Sequence, residues 1–459
     1  MKIRKTLILF VIFTLFQFSS SSIEQPFAQN INGIVYTMVD VCGEPYQAEA
    51  HILRFANGIV YAIDAGQASK FATYLKNNNI TAIDKFFISH AHKDHYNGII
   101  NVIQSGIKIT TVFFNVPDKE VCDTEKPWGC DYKHILETIK FIKDHNISVE
   151  NLKAGDSFVP QDDTIVTILA VFDGSNTPIG KTDINDTSAI MKLTYGKTSI
   201  LFTGDLNTRL SEYLVKSKYD VKADILKVPH HGAEGVATNN FFDAVSPKLA
   251  LVPSPYNLWL SDRSKRVRDY FSSKRIPALV SGTDKDVNIL LFENKYEIVK
   301  ISCDADKSQK VYVSDKKMVE VNLDASKSII SYGTIKSFVW SEGGNQIASG
   351  VKPTILLDKG MHNINLAITS DRRLTAVCTV KIEVSENPKR IDQQKATVEK
   401  PDRTFDDKYL DILEKCSQKY ESCYDSCIEK CENNLCEELC LKELSICEKE
   451  LPRELKTIK

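Results

Sequence analysis

Ser89-His90-Ala91-His92-Lys93-Asp94-His95-Tyr96-Asn97-Gly98 is the stretch on which the reading of the fold turns. Three imidazoles and one carboxylate fall within it, directly after the apolar run Phe86-Phe87-Ile88. A strand ending at Ile88 would deliver all four side chains into one loop. His90 and His92 alternate by two, so both point the same way while the chain is still extended. Asp94 and His95 then reach a second point a few ångströms away. Neutral imidazole and carboxylate oxygen are the usual ligands of zinc and its borderline neighbours. Of nine histidines in the whole chain, three sit here, which ranks metal binding above a merely solvated polar loop.

His90-Ala91-His92-Lys93-Asp94-His95 matches H-x-H-x-D-H and, with Asn97-Gly98 behind it, resembles the signature of the metallo-β-lactamase fold. The resemblance implies an α/β architecture, an αββα sandwich of two sheets with one or two metals at its edge. Zinc is the usual ion, with manganese or iron as alternatives. Asp64-Ala65-Gly66 resembles the Asp-x-Gly that ends a strand beside the metal loop, and Thr203-Gly204-Asp205 resembles the turn that carries the bridging carboxylate. Leu226-Lys227-Val228-Pro229-His230-His231-Gly232 and the Asn-x-x-Ser run Asn185-Asp186-Thr187-Ser188 resemble the ComEC-type DNA-uptake branch. Cys42-Gly43-Glu44-Pro45 stands where that branch has Gly-Gln-Gly-Asp.

The resemblance implies a metal set of His90, His92, Asp94, His95, Asp205 and His230, with His231 donating to a leaving group or orienting its neighbour. Asp94, His231, Asn185 and Ser188 are the implied catalytic residues. One departure stands out: no histidine lies between His145 and Asp205, where well-known members place a third histidine for the first metal. The equivalent place falls on Asp183 to Asp186, so coordination by Asp183 or Asp186, or a water or phosphate held by Asn185, stays open. His134 and His145 read as ordinary helix or cap histidines.

The 459 residues exceed one ordinary core and imply two or three domains. A formal net charge of −2 gives no general affinity for nucleic acid or acidic membranes. Lys2, Arg4 and Lys5 before the apolar run Leu7 to Phe16, followed by Ser19 to Ser22, read as a cleaved secretory signal at 1–22. That run is short for a bilayer span; an uncleaved anchor is the alternative, and no stable span is expected after cleavage. Export to a secreted or extracytoplasmic location suits the twelve cysteines.

The hydrolase-like region is expected over 31–300. Residues 311–385 show short alternating strands, which argue a β-sandwich; Val339-Trp340-Ser341 and Lys359-Gly360-Met361-His362 resemble a PKD-type, immunoglobulin-like domain with a core tryptophan. A polar linker at 386–407 leads to a cysteine-rich helical hairpin at 408–452, where Cys416–Cys447, Cys423–Cys440 and Cys427–Cys436 is one pairing that leaves Cys431 over. Cys122 with Cys130 is expected as a local disulfide, and Cys303 with Cys378 as a second.

The preferred function is hydrolysis of a phosphodiester, in nucleic acid or nucleotides, by a metal-activated water. One alternative is a lactone, thioester or β-lactam substrate. Another is an exported adhesion or binding protein whose metal is structural and whose sandwich or tail meets an extracellular partner.

Overall fold

The computed structural model describes residues 33–386, apart from 44–45, 126–128, 173–182, 234 and 314–317. The expected signal segment, the cysteine-rich hairpin and all but the first residue of the expected linker lie outside the described residues. The chain divides into two compact units, of which the larger comprises residues up to 311 together with 316–384.

Two mixed sheets carry the described residues up to about 300. In the eight-stranded sheet, Ile34–Met38 pairs antiparallel with His51–Arg54 and Val287–Leu291. Val60–Ile63, Ala82–Ile88 and Lys108–Phe114 extend it as parallel neighbours. In the seven-stranded sheet, Ile190–Tyr195 and Thr198–Phe202 form a hairpin across Gly196-Lys197. Ile225–Lys227, Leu249–Val252 and Ala278–Val280 then follow in parallel.

The sheets pack face to face because their inward residues are apolar. Tyr36, Leu53, Phe87 and Phe113 of one sheet share a buried cluster with Val166, Met191, Phe202 and Leu249 of the other. Each outer face is covered by helices whose apolar residues recur three or four positions apart, which places them on one side. Phe71 and Leu75 of Lys70–Asn77, and Ile135 and Ile142 of Tyr132–Asp144, cover the first sheet. Leu210 and Leu214 of Thr208–Lys216, with Val267 and Phe271 of Lys265–Ser273, cover the second. The layering is αββα, as expected. Among the described residues no helix is long and apolar enough to cross a membrane.

The described residues beyond 300 are built of strands. Gly360–Ser370 lies between Ile335–Glu342 and Thr375–Glu386 in a five-stranded sheet, and Met318–Asn322 pairs with Thr354–Asp358 in a separate one. Trp340 is wholly buried and donates its Nε1–H to Gly350 O at 2.9 Å, so it is a core residue and not an exposed platform. Leu374 packs against Val35, Leu290 and Val299 of the first region, and the Arg54 guanidinium donates to the Arg373 carbonyl. Both expected disulfides, Cys122–Cys130 and Cys303–Cys378, are formed.

Candidate metal centre

Three strand ends meet at one edge of the sandwich. Ala82–Ile88 runs into the histidine loop, Thr198–Phe202 into Thr203-Gly204-Asp205, and Ile225–Lys227 into Pro229–Gly232. The last two strands are parallel, so their carboxyl ends open on the same side. Ala189 N–H donates to Ser89 O at 2.8 Å and ties the second sheet to the loop of the first. Gly98 lets the loop fold back on Asp64-Ala65-Gly66: a Cβ there would stand 2.1 Å from Ala65 O.

Asp64 is the buttress of this loop. It is fully buried and adopts φ 57°, a left-handed conformation that is uncommon outside glycine. Its carboxylate accepts Ser89 N–H at 2.7 Å, Ser89 Oγ–H at 2.7 Å and His95 Nδ1–H at 2.8 Å. Ser89 Oγ then lies 3.0 Å from His90 Nδ1. These bonds fix each ring from behind and leave Nε2 of His90 and His95 facing the cleft.

The buried carboxylate of Asp205 is the point of convergence. Its Oδ2 lies 3.2 Å from His95 Nε2, 3.4 Å from His231 Nε2 and 3.9 Å from His90 Nε2. Asp94 Oδ2 is 3.3 Å from His231 Nε2 and 3.9 Å from His95 Nε2. On the other flank His90 Nε2 and His92 Nδ1 are 3.0 Å apart. His90, His92 and Asp205 make one group with metal-ligand spacing, and Glu49, His95, Asp205 and His231 make another. Nε2 of His95 and of His231 is buried and lacks a hydrogen bond of normal geometry. Imidazole nitrogens and carboxylate oxygens held this way are the donors that zinc and its neighbours take, so the residues fit such ions.

The charges of the cluster are strongly coupled. Burial opposes ionisation of Asp205, but His95 and His231 outweigh it and hold the carboxyl well below its ordinary value. The Asp94 carboxyl is lowered in the same way, by His95 and His231 against burial. Burial would lower His231, yet Asp205 and Asp94 push it up to about 9. His95 is raised too, by Asp205, Asp64 and Asp94 against burial. Burial and the positive neighbour His95 drive His90 well below the usual histidine range.

The two adjacent histidines are placed differently from one another. His231, not His230, turns its Nε2 onto Asp94 and Asp205, while its Nδ1–H donates to Pro253 O at 2.7 Å. That back-side bond sets the tautomer a metal ligand needs. His230 is also buried beside the cluster, with its ring centroid 6.4 Å from that of His231, but it belongs to neither ligand group. Ser188 Oγ accepts the backbone N–H of Asp205 at 3.0 Å, and Asn185 Oδ1 is buried with no hydrogen-bond partner among the described residues. Asp183 is engaged elsewhere, accepting from Asn185 N–H and from Asn207. Asp186 Oδ2 lies 3.9 Å from Arg209. His134 meets the Tyr96 hydroxyl at 2.9 Å and His145 closes its helix on Phe141 O at 2.8 Å, both away from the cluster.

Residue patterns gave no notice of Glu49 or Glu125, and showed Lys227 only within its motif, with no role. Lys227 is fully buried; its ammonium pairs with Glu49, donates to Gly204 O at 2.7 Å and lies 3.6 Å from Asp205 Oδ1. Glu49 Oε1 in turn meets His51 Nε2 at 2.9 Å, and His51 Nδ1 meets the Tyr36 hydroxyl at 2.9 Å. Glu125 reaches His92 Nε2 at 3.2 Å. The one available signal was a charged residue inside an otherwise apolar strand, Lys227 between Leu226 and Val228.

No family model matches the chain. Among curated proteins it is similar to ComE operon protein 3 of Bacillus subtilis (strain 168), 22% identical over 184 residues, which cover 40% of this chain and 21% of that protein. It is also 36% identical over 76 residues to competence protein ComA of Neisseria gonorrhoeae, covering 16% of this chain and 11% of that one. The matched region thus spans about a fifth or less of these relatives. Among solved structures it is similar to Tm1679, a metal-dependent hydrolase of the β-lactamase superfamily, with TM-score 0.34, 11% identity and coverage of 57% of this chain and 98% of that one. Layering, histidine loop and curated relatives agree: the chain resembles the metallo-β-lactamase fold hydrolases, on the side of the competence proteins.

Proposed function

We propose that this chain is an exported metal-dependent hydrolase acting on phosphodiesters, in nucleic acid or nucleotides. The observation that carries the proposal is the sharing of Asp205 Oδ2 between two donor sets. His90 Nε2 and His92 Nδ1 would hold one ion, and Asp94, His95 and His231 the other, with Asp205 between them. When bound, such ions supply Lewis acidity and an activated water.

The chain's own residues do the positioning. Asp64 and Ser89 lock the imidazoles from behind, and Pro253 O locks His231. Ser188 serves Asp205 through the backbone, which makes it a holder of the carboxylate. Asp94, with a side chain 13% exposed against 2% for Asp205, is the carboxylate that faces incoming substrate and can handle its proton. The buried Asn185 Oδ1 offers an acceptor to a substrate hydroxyl or a water.

Phosphodiester as the substrate class is supported by the competence relatives and by the two motifs shared with that branch. Export is supported by the two disulfides, since such bonds persist in oxidising compartments. The strand-built region after residue 300 would be an immunoglobulin-like spacer of the PKD type, and the cysteine-rich segment beyond it a disulfide-stapled hairpin.

The test is elemental analysis of the purified secreted chain with bis(p-nitrophenyl) phosphate turnover, in wild type and Asp205→Ala. About two ions per chain, and turnover lost with Asp205, is the expected result. Bound metal without diester turnover but with lactone or thioester turnover would replace the substrate class. Bound metal with no turnover at all would favour a structural metal in a binding protein.

A further inference from the structure

Glu125 belongs to neither donor set, yet the first of them leans on it. Its carboxylate is buried, and its two oxygens serve two walls of the site. Oε1 takes His92 Nε2 at 3.2 Å, on the side of the ring opposite the Nδ1 that faces His90. Oε2 accepts the N–H of Ile184 at 2.7 Å. Ile184 opens the turn Ile184–Thr187, next to Ser188, whose hydroxyl accepts from Asp205. A histidine that gives one N–H to a carboxylate keeps a lone pair on its other nitrogen and cannot swing its ring.

Glu125 follows the six-residue helix Lys119–Thr124, which is too short to be rigid on its own. What closes this segment is the Cys122–Cys130 disulfide, a ring with sequence separation 8 that contains Glu125. Cys122 is buried in the cluster beneath the helices, so one end of the ring is anchored in the core. The second donor set has other supports, Asp64 behind His95 and Pro253 O behind His231.

We propose that Glu125 is a positioning residue for the metal site at His90 and His92, and that the Cys122–Cys130 disulfide makes its placement depend on oxidation. The inference rests on the metal-binding reading of this centre. Ring closure takes two thiols to one S–S bond; the two electrons and two protons pass to a disulfide carrier, which leaves as a dithiol. A chain still reduced would hold an ion at Asp94, His95 and His231 while the His90–His92 site stayed weak. Full loading would then follow export into an oxidising compartment.

The experiment uses the full chain, zinc titration against a competing chelator, and zinc content after dialysis. Wild type is expected to hold about two zinc ions. Glu125→Ala should weaken one site about 10- to 100-fold, the usual loss when such a partner is removed, and leave the other within about twofold of that reference. Glu125→Gln should fall between, because the amide oxygen still accepts from His92 while its NH2 meets the Ile184 N–H. Cys122→Ser/Cys130→Ser should weaken the same single site, and Cys303→Ser/Cys378→Ser neither. The unaffected site in the same molecule reports that the variant is folded. Both sites weakened alike by Glu125→Ala, or neither, overturns the positioning role. Unchanged affinity in Cys122→Ser/Cys130→Ser overturns the dependence on oxidation. A wild-type chain that takes up no zinc fails the metal reading itself, an outcome separate from these two.

Discussion

Replacing Lys227 with methionine should destabilise the metal-free protein by about 3–5 kcal/mol, the cost of leaving one member of a buried ion pair alone. Lys227 has no exposed side-chain surface, and its ammonium is the counter-ion of Glu49 as well as the neighbour of Asp205 Oδ1 at 3.6 Å. Glu49 registers the same pair from its other side. Burial alone would raise its carboxyl, but Lys227 first and His51 second bring it from 4.5 down to about 2. At about 1.4 kcal/mol per pH unit, that difference favours the folded state by about 3 kcal/mol. A depressed folded value means the stabilisation is complete above pH 4.5 and is lost as pH falls toward 2. Without Lys227 the burial effect is unopposed by the ammonium, so Glu49 would resist ionisation and the variant would weaken as pH rises through the weakly acidic range. Lys227→Met/Glu49→Gln removes both charges and should recover most of the loss, ending within about 1–2 kcal/mol of wild type. Urea unfolding of the full chain at pH 5 and 7, followed by circular dichroism, measures all three. A cost under about 1 kcal/mol for Lys227→Met, or a double variant no more stable than the single one, refutes this reasoning.

The two adjacent histidines should separate cleanly. His231→Ala is expected to lose one of two bound ions and diester turnover, about 100-fold or more, whereas His230→Ala keeps both ions; the opposite pattern by elemental analysis and kinetics would restore His230 as the ligand. Below about pH 9 zinc affinity should rise at least tenfold per pH unit, because the ion displaces a proton from His231, which Asp205 and Asp94 raise to about 9 against the effect of burial, and another from His95, raised in the same way. In the metal-free chain the sign is reversed: His231 stabilises fully below about 6.5 and its contribution disappears as pH rises through 9. A pH-independent affinity in chelator competition would count against the assignment. Gly98→Ala, which drives a Cβ to 2.1 Å from Ala65 O, should cost about 1–3 kcal/mol and weaken zinc binding as the loop shifts; wild-type melting and metal content would show that the loop has room to spare.

Much of the αββα core was legible because its periodicities are local. Ile190–Tyr195 and Thr198–Phe202 are separated by a Gly-Lys turn, and Phe71, Tyr74 and Leu75 mark one face of a helix. The loops that carry the candidate ligands were legible for the same reason: each is a short polar motif at the end of an apolar run. Short, weakly buried strands such as Ser148–Glu150 and Ser157–Phe158 left no such trace. Of the partners that hold the candidate ligands from behind, Asp64 was legible in its Asp-x-Gly motif, whereas Glu49, Glu125 and Pro253 O were not, since sheet order and long loops bring them in. Glu49, just before the strand His51–Arg54 of one sheet, meets Lys227, at the end of Ile225–Lys227 in the other, 178 positions apart in sequence by their numbers.

The choice between His230 and His231 shows the same limit at its sharpest. In an extended chain, neighbouring side chains face opposite ways, and either could be the inward one. Here both histidines are left-handed, at φ 49°, ψ 43° and φ 53°, ψ 18°, with Gly232 following at φ 73°. Such backbone costs of order 1–3 kcal/mol per non-glycine residue and persists only where the surroundings over-determine it. The surroundings are the parallel pairing of Ile225–Lys227 with Leu249–Val252, which brings Pro253 O to His231 Nδ1, and Trp259, whose ring would lie 2.9 Å from a Cβ on Gly232. A turn bent by contacts more than twenty residues downstream cannot be read from the four letters that form it, although those letters mark where a candidate ligand stands.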